Sequence, residues 1–331
     1  MERVATTAGL FPLPDGTRER LSDRKGHQKS DLISGDEGPD IVAEYEAGRE
    51  HVVDLQRDAG LDRVVEGQLR WDDMLAHPLA VHDSVRTAGI VRYYDNNNFY
   101  REPVVEDGLD FDGDVAAELE AAAALTDDLQ AVVPGPWSLF DLATDEHYGD
   151  EAAFLDALGE FLAGEVAAFP DAVETVFVLE PSLVTAPPGE GLDERASAAV
   201  GRVAGATDAD VVVHAYWGAL EERVYAHLLD ADVDAVGFDF VSAPDENLSN
   251  LSEYGAPDDV GLGVVDGQNT LVESPETIRE RIAWFEESVP PVMEFDTAYV
   301  MPNTELFYLP VNRFEEKLAA LGAVTAEEVE A

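Results

Sequence analysis

The stretch VVVHAYWGA, Val211 to Ala219, decides the fold: three β-branched apolar residues run straight into a histidine. A short apolar run with no polar alternation reads as a strand buried on both faces, which is the pattern of a parallel sheet. Seven comparable runs lie near Val4–Thr7, Arg63–Glu66, Gln130–Pro134, Thr175–Leu179, Ala235–Phe238, Gly261–Val265 and Thr297–Met301. Segments with apolar residues at helical spacing stand between them, at Ile41–Ala59, Val115–Leu129, Glu151–Ala168, Asp193–Ala204, Leu220–Leu229, Pro275–Glu287 and Arg313–Leu321. Eight strands joined by helical crossovers predict an α/β fold of the closed (β/α)8 TIM-barrel type. No repeat, low-complexity block or linker interrupts residues 1–331, so a single barrel domain is expected.

The second connection, from Gln68 to Asp114, is long and carries YYDNNNFYR. A connection of that size is usually functional. Its aromatic and Asn residues predict an ordered loop over the barrel mouth, suited either to stacking a flat heterocycle or to holding its own backbone.

Seventy acidic residues against twenty basic ones give the chain a formal charge of −50, and cysteine is absent. The carboxylates are spread over every expected helix instead of forming a tail, so the charge belongs to the whole solvated surface. Such self-repulsion is relieved by high salt, which points to a salt-loving host. Nucleic acid and anionic membranes are disfavoured partners. No apolar run approaches the roughly 18 residues of a membrane span, and a soluble cytoplasmic protein is expected. Without cysteine there is no disulfide, no thiolate nucleophile and no sulfur ligand for a metal.

In a barrel of this kind chemistry sits at the C-terminal ends of the strands. There the sequence places Ala8, Gly9 and Leu10 after strand one, Gln68 after strand two, Pro134 to Trp137 after strand three and Glu180 after strand four. His214 and Tyr216 follow strand five, Asp239 strand six, Asp266 strand seven, and Asn303 and Thr304 strand eight. His214 and Asp239 are both zinc-compatible groups, yet two ligands are few, and a histidine bonded at a strand end is the simpler reading. Glu180 ends an apolar strand and must find a solvated cleft or a partner such as an arginine. Ser138 reads as a helix cap, Asp72 and Asp73 as caps or ring-positioning groups, and Lys25 to Lys29 as a basic spot able to hold an anion or simply a solvated loop.

Several of these stretches, in this order, resemble the cobalamin-independent methionine synthases, in particular the zinc-carrying C-terminal barrel of the long enzymes and the short archaeal core forms. TTAGLFP (Thr6–Pro12) is similar to the family's T-x-I-G-S-F-P, and VFVLEPSL to I-Q-I-D-E-P-A-L. VVVHAYWG stands where the family has I-H-T-H-M-C, and AYVMPNTELFYLP where it has W-V-N-P-D-C-G-L-K-T-R. The resemblance covers nearly the whole chain and implies a uroporphyrinogen decarboxylase and methionine synthase-like barrel. The implied reaction moves a methyl group from a methylated pterin, or a corrinoid donor, to homocysteine activated by zinc.

Carried over by position, His214 falls on the zinc histidine and Asp239 on the zinc glutamate, while Tyr216 and Thr304 occupy the places of the two zinc cysteines. Gln68 and Leu179 replace two carboxylates that contact homocysteine, and the backbone contacts of Ala8, Gly9 and Leu10 are kept, with Glu180 nearby. These five departures in one pocket leave three readings. The first is a methyltransferase with a degenerate zinc site; the second is a non-catalytic partner of a cysteine-bearing paralogue. The third is a metal-independent enzyme on a uroporphyrinogen decarboxylase-like barrel.

Overall fold

The computed structural model of the chain describes residues 1–22, 37–93 and 99–325. The basic spot Lys25–Lys29 and residues 94–98 of the long connection lie outside them. Eight parallel strands follow one another round the molecule: β1 (Glu2–Ala5), β2 (Val64–Val65), β5 (Leu129–Pro134), β7 (Val173–Leu179), β8 (Asp210–His214), β9 (Ala235–Asp239), β10 (Asp259–Val265) and β11 (Thr297–Pro302). From β2 to β11 each pairs with the next in this order, and β11 pairs back onto β1. The remaining seam is bridged at the start of β2, where the Ala5 carbonyl accepts the amides of Asp62 (3.0 Å) and Arg63 (3.3 Å). The eight expected strands are therefore the eight of the barrel.

Inside the barrel, side-chain size varies from layer to layer so that the interior fills. Gly237 of β9 pairs with Gly261 of β10, and a Cβ on either would lie 2.9 Å from the Met301 methyl. The long methionine occupies the space the two glycines leave. A polar clasp ties β1 to β5, with the Thr6 hydroxyl donating to Gln130 Oε1 (2.6 Å) and Gln130 Nε2 donating to the Thr7 carbonyl (2.7 Å).

The long second connection is more structured than the expected loop. It forms an antiparallel hairpin, β3 (Val85–Arg92) and β4 (Phe99–Val105), whose sheet is completed by β6 (Thr144–Asp145). The helix expected over Val115–Leu129 covers only Asp114–Ala123, because Leu129 already belongs to β5. A helix at Pro244–Tyr254 went unread. Among the described residues no helix is long and apolar enough to cross a membrane.

Candidate functional site at the barrel mouth

Among the described residues, the three non-glycine residues with left-handed backbone are Leu10 (φ 56°), Gln68 (φ 49°) and Trp217 (φ 69°), and all three stand just beyond the C-terminal ends of β1, β2 and β8. Such conformations persist only where the surroundings impose them, and they gather at functional sites. The first two are clasped together. The Leu10 amide donates to Gln68 Oε1 at 2.7 Å, the Phe11 amide to the Gly67 carbonyl at 3.0 Å, and the Gln68 amide to Glu66 Oε1 at 2.8 Å. Ala8, Gly9, Leu10 and Gln68 are thus brought together, as the sequence places them.

Glu180 is fully buried, and its partner is no arginine. Its carboxyl group accepts the Trp137 amide (2.9 Å), the Ser138 amide (2.8 Å) and the Ser138 hydroxyl (2.7 Å). Ser138 therefore serves Glu180 and not the helix end, whose N-cap is Gly135 without a side-chain bond. Burial pushes the Glu180 carboxyl up to about 7 despite these three donors. Asp73 does not cap the helix His77–Ala80 but holds the turn ahead of it, accepting the amides of Leu75 (2.9 Å) and Ala76 (2.7 Å) and the Tyr93 hydroxyl (2.5 Å). Asp72 instead pairs with Arg101 at 3.0 Å.

His214, Asp239 and Asn303 form one buried network. His214 Nε2 lies 2.8 Å from the Asn303 carbonyl, which only accepts, so that nitrogen carries the proton. Nδ1 faces the Gly237 backbone so closely that a Cβ there would lie 2.6 Å from it. Burial lowers the imidazole pKa and keeps the ring neutral.

Asp239 Oδ1 accepts Val241 N (3.1 Å), Ser242 N (2.8 Å) and Asn303 Nδ2 (2.9 Å), and Oδ2 accepts Trp217 N (3.0 Å). His214 Nε2 and both Asp239 oxygens are thus taken up by hydrogen bonds, while His214 Nδ1 is buried without a hydrogen-bond partner. The Thr304 hydroxyl donates to the Glu305 carbonyl (3.1 Å). A zinc site needs about four donors near 2.0–2.3 Å from one point. Among the described residues no group of three or more His, Cys, Asp or Glu side chains could hold a metal ion. The donors present do not fit zinc.

The mouth is also filled. Ala8, Leu10, Leu179, Glu180, His214, Tyr216, Asp239 and Thr304 are each 0% exposed. A cavity of about 610 Å³ lies at the opposite end of the barrel, against Phe169, Glu174, Thr207 and Asp208 ahead of β7 and β8. Glu305 is the mouth residue that the sequence reading passed over. It follows Thr304 directly, is 2% exposed, and burial raises its carboxyl group to about 8. A glutamate within a stretch as apolar as ELFYLP was the available signal.

Residues 4–326 match the family model described as the cobalamin-independent synthase catalytic domain. A methionine synthase of Saccharolobus solfataricus is 23% identical over 323 residues, 96% of this chain and 92% of its own length. A 5-methyltetrahydropteroyltriglutamate–homocysteine methyltransferase of Halalkalibacterium halodurans is 27% identical over 241 residues, 69% of this chain but 30% of that longer protein. Among solved structures, a B12-independent methionine synthase from a Shewanella species, in complex with selenomethionine, superposes with a TM-score of 0.78 at 18% identity, covering 99% of this chain and 97% of that one. The match over nearly every residue, together with the curled eight-stranded parallel sheet, makes this chain a member of the cobalamin-independent synthase catalytic-domain family.

Proposed function

We propose that the chain serves cobalamin-independent methionine synthesis, in which a methyl group passes from a methylated pterin to the sulfur of homocysteine, and that it takes part as a metal-free barrel. The carrying observation is that Asp239 and His214 Nε2 are taken by hydrogen bonds to Asn303, Val241, Ser242 and Trp217, and that no third His, Cys, Asp or Glu ligand joins them among the described residues. A thiol near neutral pH is mostly protonated and weakly nucleophilic, so methyl transfer to it needs a group that generates thiolate. Under this reading a cysteine-bearing paralogue supplies zinc and thiolate activation, while this barrel contributes binding surface for the methyl donor.

The test combines the purified chain in molar KCl with homocysteine and methyltetrahydropteroyltriglutamate, with and without that paralogue. Methionine formed only in the mixture supports the proposal. Methionine formed by this chain alone would show that a zinc-independent or rebuilt active site operates here, and turnover only with a methylated corrinoid would replace the donor.

A further inference from the structure

We propose that Glu66 is a positioning residue of the barrel mouth: its carboxylate holds the Gln68 backbone in the left-handed turn from which the Gln68 side chain fixes Leu10. This rests on the reading of the mouth as the ligand-binding end, but concerns how the mouth is shaped and not methyl transfer.

The chain of contacts starts at a buried acid. Glu66 directly follows β2 and is 4% exposed, and its Oε1 accepts the Gln68 amide at 2.8 Å. A non-glycine residue at φ 49° needs its surroundings to hold it there, and this bond closes the turn across Gly67, itself at φ 94°. From that position Gln68 Oε1 takes the Leu10 amide at 2.7 Å, and Leu10 is left-handed in turn at φ 56°. Glu66 thus acts on the mouth through Gln68.

The charges behind Glu66 leave it the least firmly paired. Arg49 of the helix Pro39–Ala59 approaches Glu66 Oε2 to 4.0 Å, yet the same guanidinium pairs with Glu118 of the helix Asp114–Ala123. Arg70 pairs with Glu118 at 3.2 Å and with Glu37. Among the described residues, two guanidiniums therefore serve Glu37, Glu66 and Glu118, and Glu66 has the longest contact of the three. Asp114, 3.9 Å from His77, adds a further negative charge within reach of Glu66. Burial and Glu118 raise the Glu66 carboxyl group to about 7, against the lowering pull of Arg49 and the Gln68 amide. When Glu66 is ionised its bond to that amide is charge-assisted, and such bonds are roughly twice as strong as neutral ones. The clasp therefore tightens as Glu66 loses its proton.

The test is amide hydrogen exchange, resolved residue by residue by NMR in molar KCl, on either side of the Glu66 titration. Protection of the Gln68 and Leu10 amides, taken relative to amides of β8 and β9, is expected to rise about tenfold from about pH 6 to about pH 8. The reference amides remove any general change of stability with pH. Glu66→Gln keeps an acceptor oxygen but no titrating charge, and its relative protection should stay at the wild-type low-pH value throughout. A wild-type profile that is flat or falling overturns the proposal, and that measurement needs no variant to fold. A folded Glu66→Gln that keeps the wild-type slope overturns it as well, because the titration then belongs to a neighbour such as Asp114. No methyl donor is present, so failure of the methyl-transfer assay leaves these readings unchanged.

Discussion

The Asn303 carbonyl stands 2.8 Å from the His214 Nε2, so the imidazole gives one of its two nitrogens to the backbone. The same residue is pinned from both sides, donating to Asp239 Oδ1 at 2.9 Å and accepting the Gly267 amide at 2.9 Å. Asn303→Ala strips both side-chain bonds in a buried layer, and each group left unsatisfied costs about 1–3 kcal/mol. The expected loss is about 2–4 kcal/mol in denaturant melts. Asn303→Asp should cost more, since it faces one carboxylate with another. Equal stability of Asn303→Asp and wild type would show that Asp239 is not held as described.

Lys317 is a second buried point of tension. Its ammonium, 1% exposed, donates to the Leu271 carbonyl and to Glu273 Oε2, each at 2.6 Å, and ties the C-terminal helix to the connection after β10. Burial favours a neutral Glu273, but the Lys317 bond prevails and its pKa is lowered. Removing one partner of such a pair leaves a charge stranded, at a cost of about 3–5 kcal/mol. Lys317→Met is expected to lose that much in KCl-stabilised melts, with Lys317→Met combined with Glu273→Met recovering most of it. A single variant as stable as wild type would contradict the arrangement.

Stability should peak on the acid side of neutrality. Burial, then Glu118, raises Glu66 to about 7 and Asp114 to about 6; burial, with a smaller push from Asp72, raises Asp73 to about 6 and, with one from Asp141, Glu180 to about 7; burial raises Glu305 to about 8. Each of these groups binds its proton more tightly folded than unfolded. The native state therefore holds more protons between the ordinary carboxylate range and about pH 8, and stability falls as pH rises through that window. Glu273 acts oppositely, losing its contribution as pH drops below the ordinary glutamate range. Denaturant midpoints at constant KCl are expected to decline from about pH 5 to about pH 8. A steady rise over the same interval would refute the burial of these carboxyl groups.

Gly9 permits the clasp between the first two strands. It adopts φ 72°, and a Cβ there would come 2.6 Å from Gln68 Oε1 and 2.8 Å from Val132 Cγ2. Gly9→Ala pays for the left-handed conformation, about 1–2 kcal/mol, and also displaces the Gln68 side chain that receives the Leu10 amide. The loss in thermal and denaturant melts should exceed the backbone contribution alone.

The formal charge of −50 sets the salt response. Screening lengths grow from about 3 Å at 1 M salt to about 10 Å at 0.1 M. On dilution of KCl the carboxylates repel over the whole surface, and the chain is expected to unfold cooperatively. Fluorescence of the buried Trp71 and Trp137 would follow it as a red shift. Full retention of structure at low ionic strength would show that the acidic surface is not an adaptation to salt.

Much of this architecture is legible in the sequence, for a reason particular to barrels. Strands such as VFVL and VVVH are buried on both faces, so their apolar runs stand out without any partner being known. The hairpin escaped because β3 is largely exposed and offers no alternation. The helix Pro244–Tyr254 escaped because its inward face is made of amides: Asn247 donates to the Gly218 and Asp239 carbonyls and Asn250 to that of Leu220, where a periodic reading looks for aliphatic side chains. At the mouth, residue types and positions were readable, including His214, Asp239, Gln68 and Glu180. Their partners were not, since Glu180 with Ser138 and His214 with Asn303 are contacts between distant parts of the chain.

The burial of Lys317 reaches beyond stability. The sequence has three lysines, the other two being Lys25 and Lys29. With the Lys317 amine enclosed by Leu271 and Glu273, an amine-seeking reagent or an acyl-transferring enzyme meets no accessible lysine among the described residues. Any lysine label that the folded chain takes up would therefore report on Lys25 or Lys29 and not on the barrel.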